Sequence, residues 1–203
     1  MTGLRRSLFR YFLYLLTMCQ YCAQALTAND WSEYVPQQIS DGIIHVKLSD
    51  DLPKRERVYA QKFLNKVDEV IDPPVQITND SNLADIIVDD IKPQDADSSQ
   101  YEGTTAAAMA YIIDKKMYAT WRRDYFDSPQ GYTRSKRLTK YFKRVIGHEI
   151  LHTFGLSHPN NNGKEPGFDV TDTIMSYNKD ENFKWHNTMG PLDVAALEAI
   201  WNI

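Results

Sequence analysis

The densest chemistry in the chain lies in eleven consecutive residues, His148-Glu149-Ile150-Leu151-His152-Thr153-Phe154-Gly155-Leu156-Ser157-His158. Positions four apart share one face of an α-helix, so His148 and His152 can offer their imidazole nitrogens to one metal ion. Glu149 follows the first histidine directly, where its carboxylate can sit beside a water at the metal without being a ligand. Gly155 is where the helix can stop, because glycine takes the left-handed conformation after a helix end at little steric cost. The chain can then turn back and bring His158 to the metal from a new direction, and Pro159 prevents the helix from resuming. Three neutral imidazoles and one open position describe a catalytic zinc site rather than a closed structural one. A bare pair of histidines four apart also occurs in ordinary helices. The glycine and third histidine at fixed spacing weigh against that simpler reading.

Met175 lies seventeen residues beyond His158, within Thr173-Ile174-Met175-Ser176-Tyr177. An isolated methionine after isoleucine would pass for core filler. After this histidine motif the segment resembles the Met-turn of the metzincin zinc endopeptidases. Within that clan the chain is most similar to the serralysin type. The similarity is carried by His158-Pro159, by Met175-Ser176-Tyr177 and by Gly190-Pro191-Leu192-Asp193-Val194-Ala195-Ala196-Leu197. It covers the region from about Val145 onward, and upstream it rests on the order of elements.

The resemblance implies an α+β zincin catalytic domain. Its sheet would be twisted, five-stranded and mostly parallel with an antiparallel edge strand, joined by two long helices and a small C-terminal subdomain ending in a helix. It further implies one catalytic zinc on His148, His152 and His158, with Glu149 as general base and Met175 as the floor beneath the imidazoles. Tyr177 would help to stabilise the transition state. Matrixins carry a second, structural zinc between the edge strand and the active-site helix; that region has no histidine here, so no second zinc site is expected. The glycine-aspartate repeats of the calcium-binding β-roll that usually follows serralysin domains are absent from this sequence, which leaves a calcium requirement open.

The elements that must position these residues read as follows. Gly42 to Leu48, Val75 to Thr78 and Asp85 to Val88 have the character of strands. A helical stretch opens at Pro53, with Val58, Phe63, Leu64, Val67 and Ile71 at helical spacing, and closes at Pro73-Pro74. Asp89, Asp90, Asp95 and Asp97 read as a solvated acidic loop without EF-hand spacing. Gly103 to Ile113 is assigned as the edge strand by family order, with the amides of Ala106 to Ala108 expected to bind an extended peptide by strand addition. Lys116 to Trp121 would be the last strand.

Thr133 to Phe154 reads as the active-site helix. Leu138, Tyr141, Phe142, Val145, Ile146 and Ile150 form its buried stripe, and Arg134, Lys136, Arg137, Lys140, Lys143 and Arg144 a basic outer face. Asn160 to Gly163 reads as a flexible turn. Asn178 to Met189, with Phe183, Trp185 and Met189, either walls the pocket for the first residue after the scissile bond or packs beneath the lower subdomain. His45 reads as a packed histidine, and His186 as one without a partner. Pro191 opens a C-terminal helix.

Ahead of all this, Arg5, Arg6 and Arg10 precede an apolar run from Tyr11 to Met18 and the small-x-small site Ala23-Gln24-Ala25. That is the layout of a secretory signal peptide over residues 1–25, with a core too short for a membrane span of about 20 residues. Cleavage would remove both cysteines, Cys19 and Cys22, and leave one metalloprotease-like domain over residues 26–203. It would also take the formal net charge from −4 to −7, because three arginines and no acidic residue are lost. Such a charge argues against nucleic acid or an anionic membrane as the main partner.

The expected protein is thus secreted or periplasmic, monomeric, and not inserted in a membrane once its signal is removed. Its expected activity is zinc-dependent hydrolysis of internal peptide bonds in an extended protein or peptide chain. Two alternatives stay open: a zinc-containing binding module without turnover, and a metal-dependent amidase acting on cell-wall peptides.

Overall fold

A computed structural model describes residues 23–27, 30–91, 107–126, 137–182 and 185–202. Its elements in chain order are α1 (Trp31–Gln38), β1 (Ile44–Leu48), α2 (Lys54–Asp68), β2 (Val75–Ile77), β3 (Ile86–Ile91), β4 (Ala108–Ile113), β5 (Lys116–Arg122), α3 (Arg123–Phe126), α4 (Lys140–Thr153) and α5 (Pro191–Trp201). The architecture is α+β. The five strands form one mixed sheet in the order β2-β1-β3-β5-β4. The β1–β2, β1–β3 and β3–β5 pairs are parallel, and β4 runs antiparallel to β5.

The β4–β5 hairpin turns on Asp114 and Lys115, both with positive φ (48° and 68°). That backbone matches the twist of the strands it joins. Its consequence is positional, because β4 is left at the edge of the sheet with one ladder of backbone groups unused by β5.

The helices α2 and α4 pack on each other, and α4 packs on β4 and β5. Val46, Ile86, Val88, Ala119 and Trp121 from the sheet are fully buried, as are Phe142, Ile146 and Ile150 from α4. Phe142 stacks on Phe126 with ring centroids 4.1 Å apart and meets Trp121 edge-on. The indole of Trp121 donates to Glu56 Oε2 at 2.7 Å, which gives a carboxylate on the buried face of α2 its partner.

Gly147 explains how closely the two long helices approach. A Cβ at this position would stand 2.6 Å from the Phe63 ring and 3.1 Å from Ile174 Cδ1. Alanine normally improves a helix interior by about 1 kcal/mol over glycine. Overpacking a filled site costs about 1–3 kcal/mol, so we expect Gly147→Ala to lower the unfolding temperature, with Phe63→Leu in the same chain restoring part of the loss. Thermal melts by circular dichroism check both.

Several expectations need correction. The active-site helix begins at Lys140 and not at Thr133, because the Thr139 hydroxyl caps it by accepting from the Phe142 amide at 3.0 Å. Residues 133–136, and with them Arg134 and Lys136, lie outside the described residues. Asp89 and Asp90 belong to β3 and not to a loop. Asp90 is buried against the Arg123 guanidinium, and burial raises the Asp89 carboxyl above its usual range. Asp95 and Asp97 lie outside the described residues, as do Phe183, Ala106 and residues 1–22 of the proposed signal.

The segment after residue 26 is more than a short lead-in. Leu26 is fully buried, its carbonyl accepts from both the amide and the hydroxyl of Ser157, and α1 packs against α5. Among the described residues, no helix is long and apolar enough to cross a membrane.

Candidate metal centre

The last turns of α4 present His148 and His152 on one side, with Glu149 beside them. The helix then ends in a Schellman motif: the Gly155 amide donates to the His152 carbonyl and the Leu156 amide to the Leu151 carbonyl. Gly155 adopts φ 94°, and a Cβ there would also press to 3.2 Å against the backbone of Ser32. Both constraints call for glycine. The reversal carries His158 back, so that one ring nitrogen from each of the three histidines falls within 4.8 Å of the others. The Nε2 atoms of His148 and His158 are 3.1 Å apart.

The outer nitrogens are fixed by backbone carbonyls. His148 Nδ1 donates to Ile174 O at 2.8 Å and His152 Nδ1 to Leu156 O at 2.7 Å. These two bonds place the proton on Nδ1 and leave the Nε2 lone pairs pointing into the cluster, the arrangement in which ligating histidines are held. Burial, reinforced by the neighbouring imidazoles, pushes the His148 pKa well below its usual value and that of His152 down to about 3. Burial and then Arg144 lower His158. Three imidazoles held neutral with converging lone pairs suit a divalent transition-metal ion. Metal–nitrogen bonds of about 2.0–2.1 Å in a tetrahedral site need nitrogens roughly 3.4 Å apart, between the 3.1 Å separation of the His148 and His158 nitrogens and the 4.8 Å that bounds the cluster. The donor set therefore fits a metal ion.

Glu149 is almost fully buried, and that burial drives its carboxyl up to about 8 against the opposing pull of Arg144. Arg144, expected on the outer basic face, is itself buried. It lies one helical turn before His148, so it shares the histidine face. Its guanidinium donates to Ser176 O and packs over the rings of Trp185 (4.8 Å) and Tyr177 (5.8 Å). The i, i+4 relation to His148 was the signal that could have placed it inward.

The turn at Met175 is tied down from two sides. The Ile174 carbonyl holds His148, while the Asp193 carboxylate accepts from the Ile174 and Gly190 amides at 3.0 and 2.7 Å and from the Thr173 hydroxyl. Asp193 and Met175 are fully buried. Asp193 occupies the first turn of α5, and a side chain on Gly190 would collide with the Asp172 carbonyl at 2.2 Å. Asp193 and Gly190 thus connect the C-terminal helix to the histidine cluster.

Tyr177 stacks beside His148 (5.5 Å) and meets His158 edge-on (4.8 Å). Asn160 to Gly163, expected to be flexible, is a defined turn with Asn160 and Asn161 at positive φ. Its Gly163 carbonyl accepts from the Tyr177 amide, and the Tyr177 ring lies where a Gly163 side chain would be. His186 is not partnerless: its Nε2 meets Asp180 Oδ2 at 2.9 Å. His45 is buried in β1 with Asp41 beside it, as a packed histidine should be. Trp185 is half-buried and packs on Tyr141 and Arg144, and Met189 packs against the core.

A cleft of about 320 Å³ opens over the cluster, lined by Glu149, His152, His158 and Tyr177 on one side and Ala108, Met109 and Ala110 of β4 on the other. Trp31 completes it, its ring 6.1 Å from that of His152. Nothing in the spacing of residues 26–40 marks Trp31 as a cleft residue, because only the packing of α1 brings it there.

Scanned against models of known protein families the chain matches none, and a search of curated proteins finds no match.

Proposed function

We propose that the chain is a zinc-dependent endopeptidase of the metzincin type, made with a cleaved signal peptide over residues 1–25 and exported. The observation that carries this reading is the cleft itself. A cluster of three imidazoles able to hold a metal ion, with the Glu149 carboxylate beside it, faces the edge strand β4 across a cleft of about 320 Å³. When bound, a zinc ion at His148, His152 and His158 supplies the Lewis acidity that activates a water and polarises a carbonyl.

The residues of the chain do the rest. The backbone of β4 around Ala108 to Ala110 receives the substrate as an added antiparallel strand, which orients successive peptide groups along the cleft. In its ionised form, which Arg144 favours against burial and a cation held by the imidazoles would favour further, Glu149 takes a proton from the attacking water and returns it to the departing amine. The Tyr177 hydroxyl donates a hydrogen bond to the carbonyl oxygen as it gains charge. Partial desolvation in the cleft, and then the nearby Glu149, raise its pKa to about 12, so it stays protonated and able to donate at neutral pH although its ring is partly exposed. Met175 gives the imidazoles an apolar floor that keeps their inner side dry.

The test begins with metal content and turnover on an unstructured protein. The purified chain should hold about one zinc ion and cleave casein internally, lose activity to a chelator, and regain it with stoichiometric zinc. A chain that binds no metal, or that binds it and cleaves no unfolded protein or peptide, overturns the reading. The turn behind Tyr177 offers a finer check. A methyl group at Gly163 must displace the Tyr177 ring, and misplacing a catalytic group by about 1 Å lowers rates by roughly tenfold to a hundredfold. We expect Gly163→Ala to show that loss in kcat with its zinc content unchanged.

A further inference from the structure

A second groove, larger than the cleft over the histidines, lies elsewhere on the described surface. It has a volume of about 670 Å³ and runs along the outer face of α2, toward Lys143 on α4 and the segment at Asn187 and Thr188. Its floor is apolar: Phe63 and Leu138 are buried, Tyr59 is half-buried with its hydroxyl donating to the Asn187 carbonyl, and Val58 is 44% exposed. Its rim is cationic, with Lys54, Lys62, Lys66 and Lys143 around it, and none of the described residues that line it is acidic.

This distribution is unusual in a chain whose formal net charge is −4. Lys54, Val58, Lys62 and Lys66 recur every four residues and so form one stripe along α2. The acidic side chains of the helix do not neutralise it: Glu56 faces the core and bonds Trp121, and Asp68 accepts from the Val75 amide. Among the described residues, Lys54, Lys62 and Lys66 have neither an ion pair nor a hydrogen bond. A helix that gathers lysines of one sign around an exposed valine and a trough of aromatic carbon is arranged for an anionic occupant with apolar side chains.

From this charge complementarity we infer that the groove binds an acidic peptide segment in extended form, with carboxylates on the lysine stripe and aliphatic or aromatic side chains in the trough. Lysines four apart on a helix are separated by about 6 Å, and carboxylates at alternate positions of an extended chain by about 6.6 Å. The Lys62–Lys66 spacing therefore matches two such carboxylates, and Lys54 lies two further steps along the helix with Val58 between. A bilayer fits poorly: the trough is recessed between elements, and the rest of the acidic molecule would be repelled by an anionic surface.

This inference is independent of the hydrolytic reading, and its test reads binding alone. Fluorescence anisotropy would follow a short labelled peptide of alternating Glu and Leu on the full chain carrying Glu149→Ala, so that the probe survives even where the chain cleaves peptides. We expect saturable binding that weakens as salt is raised, and much weaker binding of the same peptide with Gln in place of Glu. Reversing two rim charges, Lys62→Glu with Lys66→Glu, should weaken binding by about tenfold. Val58→Asp should weaken it without touching a lysine. All these positions are exposed, and thermal melts check that each variant is folded. Equal affinity for the Gln peptide, unchanged affinity in the charge-reversed chain, or no binding of the Glu peptide overturns the inference. Lysine-dependent capture by phosphatidylserine vesicles, with the peptide ignored, would also overturn it and assign the face to a lipid surface.

Discussion

Glu149→Ala should retain its metal and lose hydrolysis almost entirely. The carboxylate lines the cleft with His152 and His158, yet it is not one of the three groups that converge on the metal position. Its removal therefore leaves the ligand set intact, including the Ile174 and Leu156 carbonyls that orient two of the imidazoles. A positioned general base contributes about 10²–10⁴-fold, and no other carboxylate among the described residues lines this cleft. We expect kcat/KM on a casein-derived peptide to fall about a thousandfold while zinc content by elemental analysis stays equal to that of the parent. His152→Ala should behave oppositely, losing metal and activity together. Should Glu149→Ala keep a tenth or more of the parent activity, Glu149 is not the base and the proton route proposed above is wrong.

The second large effect concerns stability. Asp193 is fully buried and gathers the Thr173 hydroxyl and the Ile174 and Gly190 amides. Alanine would leave three buried donors without a partner, each costing about 1–3 kcal/mol. We expect Asp193→Ala to lose at least about 3 kcal/mol, which for a domain of this size lowers the unfolding temperature by roughly 6–12 °C. Because the same turn carries the Ile174 carbonyl bonded to His148, metal affinity should fall with it. Asparagine can accept both amides on its oxygen and donate its amide to Thr173, so Asp193→Asn should lose far less.

The parent and Asp193→Asn also separate by pH. Burial raises the Asp193 carboxyl to about 6, outweighing the three hydrogen bonds that favour its charged form. Its folded value then lies above the unfolded value of about 3.9, so the native state holds the proton more tightly. The stability it contributes is fully present below about pH 4 and is lost as pH rises to about 6. Relative to the parent, Asp193→Asn should therefore gain in unfolding temperature across that interval. A difference between the two that is flat with pH would show that Asp193 stays ionised throughout.

What the sequence determined was local or periodic. Histidines four apart, a glycine where a helix must reverse and a proline after the third histidine are short-range features. Each acts through backbone geometry within a few residues, and the cluster of His148, His152 and His158 follows from them almost without reference to the rest of the molecule. Alternating and helical patterns likewise located β1, β2, β3 and the helices α2 and α4, with errors of a few residues at their ends, whereas β4 was assigned by its place in the order of elements. The clearest of these was the start of α4, where the Thr139 cap and not the apolar stripe sets the boundary.

The tertiary structure decided what depends on distant partners. Arg144 is of a type usual at the surface, and although its spacing from His148 points inward, its place against Trp185 and Tyr177 is set by packing. Asp193 serves the turn at Met175 from the far end of the chain, and Trp31 reaches the cleft because α1 folds over α5. Gly147 and Gly163 are small because Phe63 and Tyr177 already fill the space beside them. Hydrogen bonds to a buried carboxylate and the volume left by a ring are set between segments that are far apart in sequence. No periodicity records them, and they become visible only when the chain has closed on itself.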